Sequence, residues 1–189
     1  MNKEEKIVMW TVQEQPVLEA LERDGVSYVK RKYIQEKYED TAWIFREAYG
    51  FFNARARQLM EKPEEAESPV WMFADRKWTP LYGNDYRIKL LVPRNELLLF
   101  DSRIWSKILN LSYVGEKEEE EQFLKELERY GLDYASDVFE KQGYPLLKSK
   151  ILRSWEKLFE GNIENPLYMQ GAAWKIEKEW IIEISKEPI

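Results

Sequence analysis

VPRNELLLFDSRIWSKILN, residues 92 to 110, leaves one apolar stretch, turns at Pro93-Arg94-Asn95-Glu96, runs through LLLF and pivots on Asp101-Ser102. LLLF has the length and apolarity of a strand buried on both faces. Beyond the pivot the period changes. Ile104, Ile108 and Leu111 share one side, while Arg103, Ser106 and Asn110 share the other, at steps of three and four. A strand feeding directly into a short helix implies a fold that mixes both. The pivot itself has two readings. Asp and Ser are good helix caps and need no function; alternatively Asp101, at the carboxyl end of a strand, points at a ligand beside Arg103 or Asn110.

Upstream, YRIKLLVP (86–93) alternates at Tyr86, Ile88, Leu90 and Val92, with Arg87 and Lys89 facing the other way on a half-exposed face. PVWMFAD (69–75) reads as a strand, followed by the turn-rich loop WTPLYGND. KIVMWTVQ (6–13) is the expected first strand, with Trp10 and Gln13 on opposite faces. Pro16 suits a first helical position, Val17, Leu18 and Leu21 form a stripe, and Gly25 ends that helix before the extended piece VSYV. Residues 41–61 read as a long amphipathic helix through Phe45, Ala48, Phe52, Ala56 and Leu59, capped by Asp40 or Thr41. Gly50 in its middle costs about 1 kcal/mol relative to Ala, which implies close packing there or a bend.

Downstream, residues 116–130 carry Phe123, Leu124 and Leu127 on a charged cylinder. Residues 144–159 place Leu147, Ile151, Trp155 and Leu158 on one stripe. Their second row, Lys150, Arg153 and Lys157, either touches phosphate or balances the neighbouring acidic helix. The end reads as a strand through Trp174 and Ile176, a connector, and a last strand at Trp180 to Ile184. The expected fold is α+β: a mixed, mainly antiparallel sheet in a single domain over 1–189, with a helical insertion at about 102–160.

Composition limits the chemistry. The 189 residues contain no Cys and no His, which removes disulfides, thiolate zinc sites, Cys nucleophiles, His bases and His-ligated metals. Any catalysis must use carboxylates, hydroxyls, amides, Lys or Arg. Three acids near strand ends, Asp75, Asp85 and Asp101, are the candidates for a carboxylate-bound metal among 35 acids in all, and no metal is assigned. The net charge of −6 disfavours an extended nucleic-acid surface, although a local basic patch survives such a total. No apolar stretch approaches the roughly 20 residues that cross a bilayer, and no cleavage site follows MNKEEK, so a cytoplasmic chain without a membrane partner is expected. Eight Trp and eleven Tyr imply either a core of large rings or a pocket that stacks a planar ligand.

WTVQ near the start, PVWMF in the middle, LLVP followed by LLLFDSRIWSKILN, and MQGAAWKI near the end together resemble the bacterial family called domain of unknown function 3841. More distantly, an aromatic-threonine first strand, a short helix ending in Gly25 and a late strand beginning Gln170-Gly171-Ala172 resemble the ADP-ribosyltransferase-like fold of DNA-modifying toxins. That resemblance implies a late strand carrying a catalytic glutamate; here the matching position is Ala172, which puts ordinary transferase activity in doubt.

The expected function is binding of a nucleotide-like or planar polar ligand in an aromatic-lined pocket, with catalysis absent or carried by carboxylates and hydroxyls and no cofactor assigned. The candidate ligand-binding residues are Trp10, Thr11, Gln13, Trp71, Asp101, Arg103, Trp105, Asn110, Gln170 and Trp174. Gln170 either ties a strand to a loop or recognises a base edge with its amide. The alternative is a protein-interaction or regulatory module in a toxin or phage-defence setting, with exposed aromatics as anchors.

Overall fold

The computed structural model describes residues 5–29, 42–161, 163 and 165–186, and within the long helix the side chains from Arg46 onward. The expected cap at Asp40 or Thr41 and the Phe45 side chain lie outside the described residues. Elements follow in chain order as β1 (Lys6–Gln13), α1 (Gln15–Asp24), β2 (Val26–Ser27), α2 (Ala42–Leu59), β3 (Val70–Phe73), β4 (Tyr86–Pro93), β5 (Leu98–Asp101) and α3 (Ser102–Leu109). Then come α4 (Lys117–Arg129), α5 (Asp137–Glu140), α6 (Pro145–Ser154), β6 (Met169–Ala173), β7 (Ile176–Glu177) and β8 (Ile181–Ser185). The fold is α+β.

Six strands form one sheet in the order β5-β6-β3-β1-β4-β8, and β2 pairs with β7 in a second, two-stranded sheet. The pairings of β1 with β3 and β4, of β3 with β6 and of β4 with β8 are antiparallel. The longest ladder joins β1 to β4, from Lys6 opposite Pro93 to Gln13 opposite Tyr86. Strand alternation sends Met9, Val70, Met72, Ile88, Leu90, Val92 and Ala173 into one core, which Leu21 of α1, Ile176 and Trp180 complete. Gly171 sits on this core face because a Cβ there would lie 2.8 Å from Met9 Cε and 3.3 Å from Leu99 Cδ2. Gly25 closes α1 in the left-handed region, at φ 74°, and its N–H donates to the Leu21 carbonyl at 3.0 Å.

By internal contacts the chain divides into two compact units. One comprises residues 1–38, 55–99 and 163–189 and holds the sheet core; the other comprises 39–54 and 100–162 and is mainly helical. The helical unit has an aromatic core of its own. Phe52 meets Phe100 and Trp105 with ring centroids 5.3 Å apart in each case, Tyr49 meets Trp105 at 5.7 Å, and Phe139 stacks on Trp155 at 5.7 Å. These edge-on and stacked pairs bury large rings while satisfying their quadrupoles. Trp155 also donates its indole N–H to the Ser112 carbonyl at 2.8 Å.

Several expectations need correction. The late strand does not continue through Trp174 to Ile176; it bends at Trp174, and Ile176 joins the small sheet with β2. Trp180 ends a 3-10 turn, and the last strand begins at Ile181. Leu124 of the α4 stripe is 51% exposed, because Phe123 and Leu127 supply the inward face. Leu98 and Leu99 are only half-buried, since β5 is an edge strand. Arg87 does face away from the core residues of β4, yet it is buried. Close packing by the described residues is not the reason for Gly50: a Cβ built there meets none of them within 4 Å.

Candidate functional site

Register places one residue from each of five strands in a single row across the sheet. Gln170 of β6 lies opposite Phe73 of β3, Phe73 opposite Trp10 of β1, Trp10 opposite Lys89 of β4, and Lys89 opposite Glu183 of β8. Residues directly opposite in a ladder point to the same face, so this row lies on the side of the sheet away from Met9 and Ile88. Trp71 joins that face two residues from Phe73, and Val12 lies opposite Arg87 in the next row. Trp10, Trp71 and Gln170, drawn from three distant segments of the chain, therefore share one surface. Gln170 is buried and Trp10 is half-buried.

The face is cationic around Trp10. Lys89 Nζ lies 5.2 Å from the centre of the indole and Arg76 Cζ lies 5.7 Å from it, both within cation-π range. Arg87, two residues along β4 from Lys89, is 1% exposed and donates its Nε–H to the Thr79 carbonyl at 2.9 Å. Burial, and then the charge of Arg76, hold the Arg87 guanidinium below its ordinary value, against a smaller opposing pull from Glu183. The loop carrying Arg76 is pinned by Trp78, whose indole N–H donates to the Leu167 carbonyl at 2.7 Å. It is also held by Asp75, which accepts from the Lys77 N–H at 2.9 Å.

The other candidates are placed differently. Thr11 and Gln13 lie on the core face: Gln13 Nε2 donates to Thr11 Oγ1 at 2.8 Å, and Thr11 Oγ1 donates to the Trp71 carbonyl at 2.9 Å. Trp174 is buried at the bend after β6 with Lys62 Nζ 5.9 Å over its ring, and its Nε1 has no hydrogen-bond partner among the described residues. In the helical unit, Asp101 caps α3 by accepting from the Arg103 N–H at 2.8 Å, and it takes the Arg103 Nη2 at 2.5 Å as well. Burial pushes the Asp101 carboxyl up, but the Arg103 side chain and the backbone N–H groups of Arg103 and Ile104 pull further, so it lies below the usual carboxylate range. Asn110 closes the same helix, donating its Nδ2 to the Ser106 carbonyl at 2.8 Å, and Trp105 belongs to the aromatic core. Lys150 pairs with Glu126 and Lys157 with Glu119, both at 2.6 Å, so these two members of the basic row balance α4.

The model of one protein family, described as Domain of unknown function (DUF3841), matches residues 8–182. The chain belongs to that family. The match runs from β1 to β8, and its span covers the positions of the five-strand row up to Glu183, which lies just beyond it. Searches of curated proteins and of solved structures returned no match. Among the described residues of this DUF3841 chain, no group of three or more acids is arranged to hold a metal ion, and no helix is long and apolar enough to cross a membrane.

Phe73, Arg76, Arg87, Lys89 and Glu183 were not among the residues singled out from sequence. The available signal was Arg87 and Lys89 interrupting an otherwise apolar strand at every second position. What they would face depends on β1 lying between β3 and β4, which no local pattern encodes.

Proposed function

We propose that the sheet face around Trp10 binds a nucleotide-like or other planar anionic ligand. The observation that carries this reading is the half-buried Trp10 ring held between the reach of Lys89 and Arg76, in the same cross-strand row as Phe73 and Gln170. A base stacks on an indole without needing charge, and a phosphate takes the cation that the base displaces from the ring. Gln170 supplies a paired donor and acceptor for a base edge. Burial and the charge of Arg76 disfavour the charged form of Arg87, against a smaller pull from Glu183, so an anion reaching this face offsets a cost that Arg87 carries. Ala172, at the position that the toxin resemblance assigns to a catalytic glutamate, is buried and opposite Trp71. Its methyl group cannot orient a substrate or stabilise positive charge, so the proposal is binding without transfer, as in a degenerate ADP-ribosyltransferase-like domain.

A thermal-shift panel with NAD, ATP, GTP and short oligonucleotides tests this. A ligand at about 100 times its dissociation constant adds about 2.7 kcal/mol of stability. Stabilisation by at least one of them, lost in Trp10→Ala and Lys89→Ala, is expected; no shift with any of them removes the reading.

One observation favours a second reading, a protein-interaction module. Val8 and Leu91 are register partners on the same face and are 40% and 36% exposed, an apolar pair flanking the cationic row. A partner anchored there would protect the Val8 and Leu91 amides from hydrogen exchange in a cell extract, and unchanged protection would count against it.

A further inference from the structure

We infer that the helical unit holds a second binding site, a groove between α2 and the stretch Ser149 to Glu156, for a small organic molecule bearing a phosphate or carboxylate. The groove is open, has a volume of about 480 Å³, and is lined by Arg46, Gly50 and Phe51 on one side and by Ser149, Leu152 and Arg153 on the other. That volume falls within the range of small-molecule sites. Its few lining residues are far short of the 20 to 30 a side of a stable protein interface.

The groove carries two arginines, Arg46 and Arg153, and two glutamates, Glu47 and Glu156. Lys148 pairs with Glu47 at 3.2 Å, and Lys150 and Lys157 are occupied by α4. Glu156, the other acid at the groove, also has a partner. Arg46 and Arg153 are both exposed and make no hydrogen bond or ion pair among the described residues. Two guanidinium groups without a partner among the described residues, lining one groove in a chain with 35 acids against 29 bases, suit an oxyanion held through forked N–H donors.

Gly50 is the independent observation. It sits in mid-helix, where glycine is disfavoured relative to alanine, and among the described residues nothing lies within 4 Å of a Cβ built on it. Neither packing by the described residues nor a left-handed backbone conformation explains it. What the missing side chain does is lower the floor of the groove beside Phe51, so that a flat apolar body can approach the helix while its anionic group reaches Arg46 and Arg153.

The test is an NMR titration of the full chain with phenyl phosphate, benzoate and inorganic phosphate, following the Gly50 amide. A saturable shift with phenyl phosphate or benzoate is expected, the stronger of the two identifying the anionic group, with inorganic phosphate weaker because it lacks the apolar body. The Arg46→Ala/Arg153→Ala double variant should weaken binding about tenfold or more, its melting temperature confirming that it folds. Gly50→Leu should abolish binding by filling the floor, whereas Gly50→Ala should raise the melting temperature by about 2–4 °C. Trp10→Ala should leave the titration unchanged, which separates this site from the sheet face. The inference is overturned by no saturable shift with any probe, by binding that survives the double Arg variant or Gly50→Leu, by a lower melting temperature in Gly50→Ala, or by loss of the shift in Trp10→Ala.

Discussion

The corner at Asp101 and the row through Trp10 offer the same kinds of side chain: a tryptophan, an arginine and a polar oxygen. The fold treats them in opposite ways. At the corner every one of those groups is consumed. Asp101 caps α3 and binds Arg103, Asn110 closes the helix onto Ser106, and Trp105 is packed against Phe52 and Phe100. Along the row, the cations crowd round a half-buried ring and beside a buried arginine whose charge is held at a cost. A residue type suggests chemistry; only residual, unmet interaction capacity makes a site of it.

The largest effect that separates the two comes from the rings themselves. Trp155, fully buried and hydrogen-bonded to Ser112, belongs to the aromatic core of the helical unit. Trp155→Ala should cost about 3–5 kcal/mol in denaturant unfolding. Trp10→Ala, which removes a half-buried ring, should cost only about 1–2 kcal/mol. If the two costs proved equal, the row would be a structural element and ligand binding would lose its main support.

A smaller effect tests whether the corner is only a cap. Asp101→Ala should destabilise by about 1 kcal/mol through the lost acceptor at the start of α3. The sign with pH follows from the direction of the shift. Because the folded carboxyl lies below its ordinary value, its stabilisation is complete above the unfolded pKa of about 3.9 and is lost as the pH falls through the lower folded value. Acid unfolding curves of Asp101→Asn should lack that contribution, and a variant as acid-sensitive as the native chain would show that Asp101 titrates unassisted. Binding in the thermal-shift panel should be unaffected, in contrast to Trp10→Ala.

Local pattern made much of the fold legible. The period of two located β1 and β4 to their end residues and put Trp10 and Gln13 on opposite faces, while Pro16 and Gly25 bracketed α1. Patterns failed where the deciding term was not local. Trp174 and Ile176 looked like one strand because both are β-formers, but pairing with β2 is a long-range event and the chain bends to meet it. Leu124 fitted a stripe, yet two inward positions one turn apart, Phe123 and Leu127, were enough for α4. The site suffered most from this. Gln170, Trp71 and Trp10 were each visible as candidates, but the cations that give their face its character come from β4 and from the loop after β3, and strand order alone brings them together.

The weakest expected effect belongs to the basic row of α6, and it sharpens the same contrast between spent and unspent charge. Lys150 meets Glu126 at 2.6 Å, but both side chains reach solvent, at 52% and 29% exposure, so the pair is worth less than about 1 kcal/mol. Lys150→Ala should therefore lower stability slightly in dilute buffer and not measurably at about 1 M salt, where the screening length shrinks to roughly 3 Å. Lys89→Ala should do the reverse of what a surface pair does. Glu183 lies opposite it on the row, but Arg87 is two residues along β4 and Arg76 lies over the same indole, so removing Lys89 takes one cation from beside two others, and stability in dilute buffer should hold or rise while ligand-induced stabilisation disappears. Parallel salt series on the two variants would read this directly: a Lys89→Ala protein destabilised as Lys150→Ala is, and rescued by salt in the same way, would mean that Lys89 serves Glu183 as an ordinary partner and that the face around Trp10 is already balanced.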